Sequence, residues 1–215
     1  MKKIAVILSG CGVMDGSEIH EATLALLAIR KAGCEYAVFA PDKEQTEVVN
    51  HYTGVSVKEK RNILSESARI ARGKALPLST LNPEQFDAIV LPGGFGAAKN
   101  LSDFAFKGAN YSVIPELETV LLKANELKKP VGAMCIAPVL LAKVFKGCRI
   151  TVGDLSDASA AVEKNGAKHV VTTHGETVVD EKYRLVSTPG YMLDANIEQI
   201  AEGADNMIKE LLKLV

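Results

Sequence analysis

Apolar residues along the chain alternate between short strand-like runs and longer stretches with helical spacing. A continuous apolar run at 3–8 precedes a mostly apolar helical pattern at 21–32, which Gly33 ends. Further strands are predicted at 35–40, 87–91 and 131–134. Strands alternating with helices are typical of parallel sheets, so we expect an α/β fold with a doubly wound, mostly parallel sheet and helices on both faces.

The second half of the chain changes character after a predicted strand at 149–152. Helical spacing predicts helices at 115–127 and 137–145, and short strands around polar turns are expected at 170–173, 177–179 and 185–187. These short strands predict a small antiparallel addition near the C-terminus. A final helix at about 196–214 places one apolar stripe at Ile197, Ile200, Ala204, Met207, Ile208, Leu211 and Val215.

The segment 41–86 is the least regular part of the sequence. It contains one helical pattern at 63–72, surrounded by basic residues. A run of charge usually marks a solvated helix face, whereas a lid over a site or a contact between subunits is the functional alternative.

Length and charge restrict the classes of protein that fit. The 215 residues suit one domain, 1–215, and 25 Lys and Arg against 26 Asp and Glu give a net charge of -1. A balanced charge predicts no nucleic-acid partner, and no apolar stretch reaches the roughly 18 residues of a spanning helix, so no membrane association is expected. The four cysteines lack metal-site spacing, which predicts no metal and free thiols in a reducing cytoplasm.

Cys135 stands between a predicted strand and a predicted helix in "PVGAMCIAPVLL". The small residues Ala133 and Ala137 flank it, a pattern typical of a nucleophile elbow, whose tight turn excludes large neighbours. A thiol at a helix N-terminus faces unpaired amides, which favours its thiolate. The alternative is a buried structural cysteine.

A second motif, "VLPGGFGAAKNL", follows the strand at 87–91. The amides of its Gly93 and Gly94, together with that of Ile136, are candidates for an oxyanion hole at the carboxyl edge of the sheet. The alternative is a tight loop that needs glycine only for its backbone angles. The glycine spacing fits neither a dinucleotide fingerprint nor a phosphate-binding loop.

A third motif, "DGSEIHEATLAL", carries Glu18, His20 and Glu21 into the first helix. Acidic residues at a helix start are expected as partners of its dipole. The functional alternative is a carboxyl group that reaches across the sheet edge toward Cys135.

Taken together, "LSGCGVMDGSEIHEA", "FAPD", "LPGGFGAAKNLSDFA", "MCIAP" and "STPGYM" resemble the ThiJ/PfpI superfamily, within the class I glutamine amidotransferase-like fold. More narrowly they resemble its ElbB type, named for isoprenoid biosynthesis. The resemblance implies that Cys135 is the elbow nucleophile, that Glu21 hydrogen-bonds its sulfur, and that Gly93 and Gly94 face the site. It also implies a homodimer and chemistry without an added cofactor.

The sequence departs from parts of that superfamily. Ile136 follows the nucleophile where the peptidases have histidine, Gly153 stands where other members have histidine, and "STPGYMLDAN" lacks the His-x-Glu of glutamine-hydrolysing enzymes. A Cys-His triad is therefore not evident. His174 is a candidate that the resemblance does not identify, and His20 and His51 are candidates for the edge of the site.

Two functions follow from this reading. The first is a cysteine-dependent enzyme of the glyoxalase (lyase) type, converting glyoxal or methylglyoxal, small-molecule aldehydes, to hydroxy acids. The second is a redox-sensing or chaperone-like protein that uses a reversibly oxidised cysteine. Glutaminase activity is disfavoured because no triad histidine is found. A protonated Glu21 would donate to the sulfur and lower the pKa of the Cys135 thiol.

Overall fold

The computed structural model describes residues 1–215. The strands are β1 Lys3–Ile7, β2 Glu35–Ala40, β3 Val49–Asn50, β4 Val55–Ser56, β5 Ala75–Pro77, β6 Ala88–Leu91, β7 Val131–Met134, β8 Arg149–Ile150, β9 Lys168–His169, β10 Val178–Asp180 and β11 Leu185–Thr188. The α-helices are α1 Ile19–Lys31, α2 Ile63–Ile70, α3 Phe95–Lys99, α4 Phe104–Lys107, α5 Pro115–Glu126, α6 Pro138–Val144, α7 Asp157–Lys164 and α8 Ile197–Lys213.

Seven strands form the central sheet in the order β10-β11-β7-β6-β1-β2-β5. Every neighbouring pair is parallel except β10 and β11, which confirms the mostly parallel α/β sheet. From β1 the chain adds β2 and β5 on one side, then crosses to β6, β7 and β11 on the other. The strand order therefore reverses between β1 and β6, and ligands in open α/β sheets bind beyond the carboxyl ends of the strands at this point.

The two faces of the sheet are covered by separate apolar clusters. Ile7 and Ala5 of β1 belong to one cluster with α5 and α6, whereas Ile4 and Val6 belong to the other with α1 and α8. Successive side chains of a strand point to opposite faces, so a strand with continuous apolar character contributes to both clusters. The prediction of helices on both faces is confirmed.

The C-terminal strands differ in part from expectation. β11 pairs in parallel with β7 inside the main sheet, and only β10 adds an antiparallel edge. Residues 170–173 form no strand, and β8 pairs with β9 in a separate two-stranded sheet. All four residues of β11 are buried because it lies between two other strands.

The segment 41–86 wraps one edge of the sheet. It contains a short hairpin of β3 and β4, the helix α2, and β5, which joins β2 and was not predicted. Two of its basic side chains form ion pairs within the segment. Arg69 pairs with the buried Glu66 at 2.9 Å, and Arg61 lies 3.8 Å from the same carboxylate. The Ser67 hydroxyl accepts a hydrogen bond from the Gly10 amide, which ties α2 to the loop after β1.

Helix α8 closes one face of the sheet. Its buried stripe is Ile200, Ala204, Met207, Ile208 and Leu211. Ile197 and Val215 lie outside that stripe, with exposures of 50% and 42%, because they stand at the two ends of the helix. None of the helices combines the length and apolar character needed to cross a bilayer.

Candidate active site

Cys135 occupies the turn between β7 and α6 with a backbone φ of +62°. This left-handed conformation costs a non-glycine residue about 1–3 kcal/mol, so it persists only where the surroundings enforce it. The Cys135 amide donates to the Thr188 carbonyl at 3.0 Å, and Ala133 and Ala137 are completely buried on either side. The predicted elbow geometry is therefore present.

Three strand ends converge on this cysteine, and two glycines allow the approach. A Cβ at Gly93, after β6, would overlap the Cβ of Cys135 and crowd Glu21. A Cβ at Gly190, after β11, would lie 3.1 Å from the Cys135 Cβ. The glycines of the two loops are thus required by close approach to the Cys135 and Glu21 side chains.

Glu21 lies in the first turn of α1 and is completely buried. Its Oε2 accepts from the Gly93 amide at 3.0 Å and its Oε1 accepts from the Tyr191 amide at 2.9 Å. Its carboxyl group also lies against the Cys135 side chain, because a Cβ at Gly93 would overlap both the Cys135 Cβ and the Glu21 Oε2. Burial raises the pKa of Glu21 to about 7, and these hydrogen bonds oppose the rise.

Cys135 is 7% exposed as a residue, and its thiol faces the amides of Gly94 and Ile136. Burial, followed by the negative charge of Glu21, raises the pKa of the thiol well above its usual value, and the two amides oppose this rise. The thiol pKa is therefore raised rather than lowered, and the lowering expected with a protonated Glu21 stays a prediction for that state. Burial outweighs the amides because the loops after β6 and β11 pack against the elbow.

Glu18 and His20 take different places at the start of α1. Glu18 is the N-cap, and its carboxylate accepts from the Glu21 amide at 2.7 Å, so it acts as the helix partner rather than as a ligand of the sulfur. His20 Nδ1 lies 2.8 Å from the Tyr191 hydroxyl. Tyr191 was not singled out from the sequence, although the "STPGYM" motif that contains it follows the carboxyl end of β11.

The other histidines lie away from the thiol. His174 donates from Nε2 to the Asp194 carbonyl at 2.9 Å and lines a surface groove together with residues of β10 and α8. His51 donates from Nδ1 to the Val49 carbonyl and accepts the Met14 amide on Nε2, both at 3.1 Å, and so supports the loop after β1. No group of three or more His, Cys, Asp or Glu side chains is arranged to hold a metal ion.

The loop after β1 completes the wall beside Gly94. Asn100 donates from Nδ2 to the carbonyls of Ser9 and Asp15 at 2.9 and 2.8 Å. The Gly96 amide donates to the Gly16 carbonyl at 2.8 Å, which holds the loop after β6 against the loop after β1. Chemically, the site brings together a buried thiol, a carboxyl group that titrates near neutral pH, and two amides directed at the sulfur.

Known proteins with the same architecture include several with similar sequences. The chain is 46% identical to the "ES1 protein homolog, mitochondrial" of Rattus norvegicus, over 99% of this chain and 84% of that protein. It is 44% identical to the Homo sapiens "Glutamine amidotransferase-like class 1 domain-containing protein 3, mitochondrial", over 99% of this chain and 83% of the relative. The expectation of a cytoplasmic location is contradicted, because these relatives are mitochondrial proteins.

Solved structures agree with the sequence comparison. An isoprenoid biosynthesis protein with amidotransferase-like domain from Ehrlichia chaffeensis superposes with a TM-score of 0.93 at 37% identity, over 100% of this chain and 99% of that one. Glyoxalase III from Candida albicans shares the fold alone, with a TM-score of 0.65, 17% identity and 97% coverage of both chains. The model of the DJ-1/PfpI family matches residues 2–202, and the chain therefore belongs to that family.

Proposed function

We propose that this protein is a cysteine-dependent enzyme that converts small reactive carbonyl compounds, glyoxal or methylglyoxal, to hydroxy acids. The observation that supports the proposal is the contact between the Cys135 thiol and Glu21, a buried carboxyl group whose pKa is about 7. A general base is most effective when its pKa lies near the working pH. The glyoxalase III named among the structural neighbours has the same fold, which is consistent with this chemistry.

In the first step, the Cys135 sulfur adds to the aldehyde carbon while Glu21 takes the thiol proton. A carbon–sulfur bond forms, the carbonyl π bond breaks, and the new oxyanion of the hemithioacetal accepts from the amides of Gly94 and Ile136. These donors already face the sulfur, so they need no rearrangement to meet an oxygen on the carbon bonded to it.

In the second step, a proton moves from the aldehyde carbon to the adjacent carbonyl carbon through an enediolate. Before this, Glu21 gives the thiol proton to the hemithioacetal oxyanion and becomes a carboxylate again. It can then take the proton from the aldehyde carbon and return it to the adjacent carbon, while the hydroxyl proton of the hemithioacetal passes to the neighbouring oxygen. The product is a thioester of Cys135, and hydrolysis by water releases the hydroxy acid and the free thiol. No external oxidant or reductant is needed, because one carbon is oxidised as its neighbour is reduced.

The redox-sensing alternative has less support from the geometry. Cysteines that oxidise readily are accessible and have a low pKa. Cys135 is 7% exposed and its thiol pKa is raised. Glutaminase activity also has little support, because His20, His51 and His174 bond to groups other than the thiol.

The decisive experiment is incubation of the purified protein with glyoxal or methylglyoxal, with hydroxy acid as the measured product and ammonia release from glutamine in parallel. We expect hydroxy acid from the wild type and a loss of at least about 100-fold in Cys135→Ser, because a serine hydroxyl is a far weaker nucleophile. Cys34→Ser, at a buried thiol on another part of the fold, is the matched control. Equal turnover by wild type and Cys135→Ser would refute the proposal.

A further inference from the structure

An apolar groove of about 790 Å³ lies between α3, α4 and α7, and two of its lining residues directly follow residues of the Cys135 site in the chain. Its walls come from α3 and α4 on one side, α7 on the other, and the turn after β11. Eight of its lining side chains are apolar, among them Phe95, Phe104, Ala105, Ala160 and Met192.

The groove is continuous in sequence with the site at two points. Phe95 directly follows Gly94, whose amide faces the Cys135 sulfur, and Met192 directly follows Tyr191, whose amide holds Glu21. Phe95 and Met192 are therefore held by the same two loops that hold the thiol and the carboxyl group.

The walls of the groove are already ordered. The ring of Phe104 packs edge-to-face on the completely buried Tyr111, with centroids 5.0 Å apart. The Phe95 amide donates to the Val13 carbonyl at 2.7 Å, while its ring stays 52% exposed. An exposed aromatic ring on a fixed backbone is a surface available for an apolar ligand.

The charge of the groove favours a neutral occupant. Its ionisable lining residues are Asp157 and Lys164, both exposed on α7 and opposite in sign. Pockets for small molecules are mostly apolar with a few polar groups that orient the ligand. Here the polar lining side chains, Ser156, Asp157 and Lys164, all come from α7 and its N-cap, and the rest of the lining is apolar or glycine.

We propose that this groove binds the apolar alkyl or aryl substituent of an aldehyde whose carbonyl carbon meets Cys135. The proposal rests on the proposed function in taking Cys135 as the group that attacks the ligand. It names the substrate class as aldehydes and 2-oxoaldehydes with a neutral apolar substituent, for which glyoxal is a truncated analogue. Such a substituent increases the rate by holding the carbonyl group against the sulfur.

The test compares alkylation of Cys135 by iodoacetamide and by N-hexyl iodoacetamide, where the sulfur displaces iodide from either reagent. Peptide mapping measures the rate of labelling at Cys135 by each reagent. Each rate is then divided by the rate at which the same reagent alkylates glutathione. We expect the hexyl reagent to be favoured at Cys135 by about tenfold or more, a difference of about 1.4 kcal/mol.

Ala105→Glu and Ala160→Glu, on the two opposing walls, should remove this preference, because each places a carboxylate in the apolar groove. Both alanines are exposed, so the variants are expected to fold. Ala32→Glu makes the same chemical change at an exposed position at the far end of α1 and should keep the preference.

A normalised ratio near one in the wild type, or no labelling of Cys135 by the hexyl reagent, would overturn the groove assignment. So would a preference that survives both groove substitutions. If a second copy of the chain covers the groove, Ala160→Glu would change the molecular mass of the protein in solution and leave the ratio of the two normalised alkylation rates unaltered. That outcome would also overturn the groove assignment. Alkylation of Cys135 requires no aldehyde turnover. A protein that fails to convert methylglyoxal could therefore still show the alkylation preference, and the two proposals are tested independently.

Discussion

Glu21 and Cys135 form a buried pair in which each group affects the ionisation of the other. Burial raises the pKa of both groups, and the negative charge of Glu21 raises the pKa of the thiol further. The charge of Glu18 adds to the rise at Glu21, which the hydrogen bond with the Cys135 side chain opposes. The pair therefore keeps one proton over a wide pH range and titrates as a unit. The raised thiol pKa favours the form with this proton on sulfur and Glu21 ionised, ready to act as a base.

Replacing Glu21 with glutamine should lower the pKa of the Cys135 thiol while abolishing aldehyde turnover. The change removes the charge that opposes the thiolate and also removes the base. The measurement is the rate of Cys135 alkylation against pH. Glu18→Gln, which keeps an oxygen for the helix cap, is the control. It should change the thiol pKa and the aldehyde turnover far less than Glu21→Gln does. A higher thiol pKa in Glu21→Gln would instead identify Glu21 as a protonated donor to the sulfur.

The same substitution should change how stability depends on pH. The pKa of Glu21 rises from 4.5 in an exposed chain to about 7 when folded. The unfolded chain therefore binds fewer protons across this window, and Glu21 makes the folded state less stable as pH rises from 4.5 to 7. We expect a loss of about 3 kcal/mol from this group over that range. Urea unfolding at both pH values should show this loss in wild type and not in Glu21→Gln. Equal pH dependence in the two proteins would contradict the raised pKa.

The helix α8 stabilises the sheet from the face opposite α6. Met207 and Leu211 are completely buried, and a Cβ at Gly132 of β7 would lie 3.3 Å from the Met207 sulfur. Met207→Ala should lower the free energy of unfolding by about 2–5 kcal/mol, because it leaves a cavity in this layer. Turnover of the folded protein should persist, since α8 supplies no group that contacts the sulfur.

Met207→Leu is the volume-conserving control for that variant and should cost less than about 1.5 kcal/mol. Urea unfolding measures both variants, and hydroxy-acid formation measures the surviving activity. A loss of turnover in Met207→Ala without a loss of stability would show that α8 takes part in the chemistry.

The elements differ in how well the sequence predicts them. β1, β2, β6 and β7 are recognisable because strands buried on both faces are continuous apolar runs. β5 is a three-residue edge strand with partly exposed residues, so its pairing with β2 has no clear local pattern. β11 resembles its short neighbours in composition, and its place beside β7 depends on a pairing between residues about fifty positions apart.

The oligomeric state stays a prediction. The resemblance to the superfamily predicts a homodimer, so light scattering coupled to gel filtration should give a mass near twice the 23.0 kDa of the chain. Apolar side chains that are exposed in a single subunit are typical of surfaces where subunits contact each other. Leu155, which is 76% exposed, is such a side chain. Leu155→Lys should then shift the mass toward that of a single chain, because a charge is costly in an apolar interface. A single-chain mass for the wild type would refute the dimer.

The sequence was sufficient to predict the α/β class, the elbow at Cys135 and the glycines after β6, because these depend on local spacing and on small residues at fixed offsets. It also predicted Glu21 as the partner of the thiol, through a resemblance rather than through its local pattern. The bond between His20 and Tyr191 and the position of His174 beside Asp194 depend on contacts between distant segments. Burial is likewise a property of the folded chain, which is why the thiol pKa rises where a helix start alone predicts that it falls.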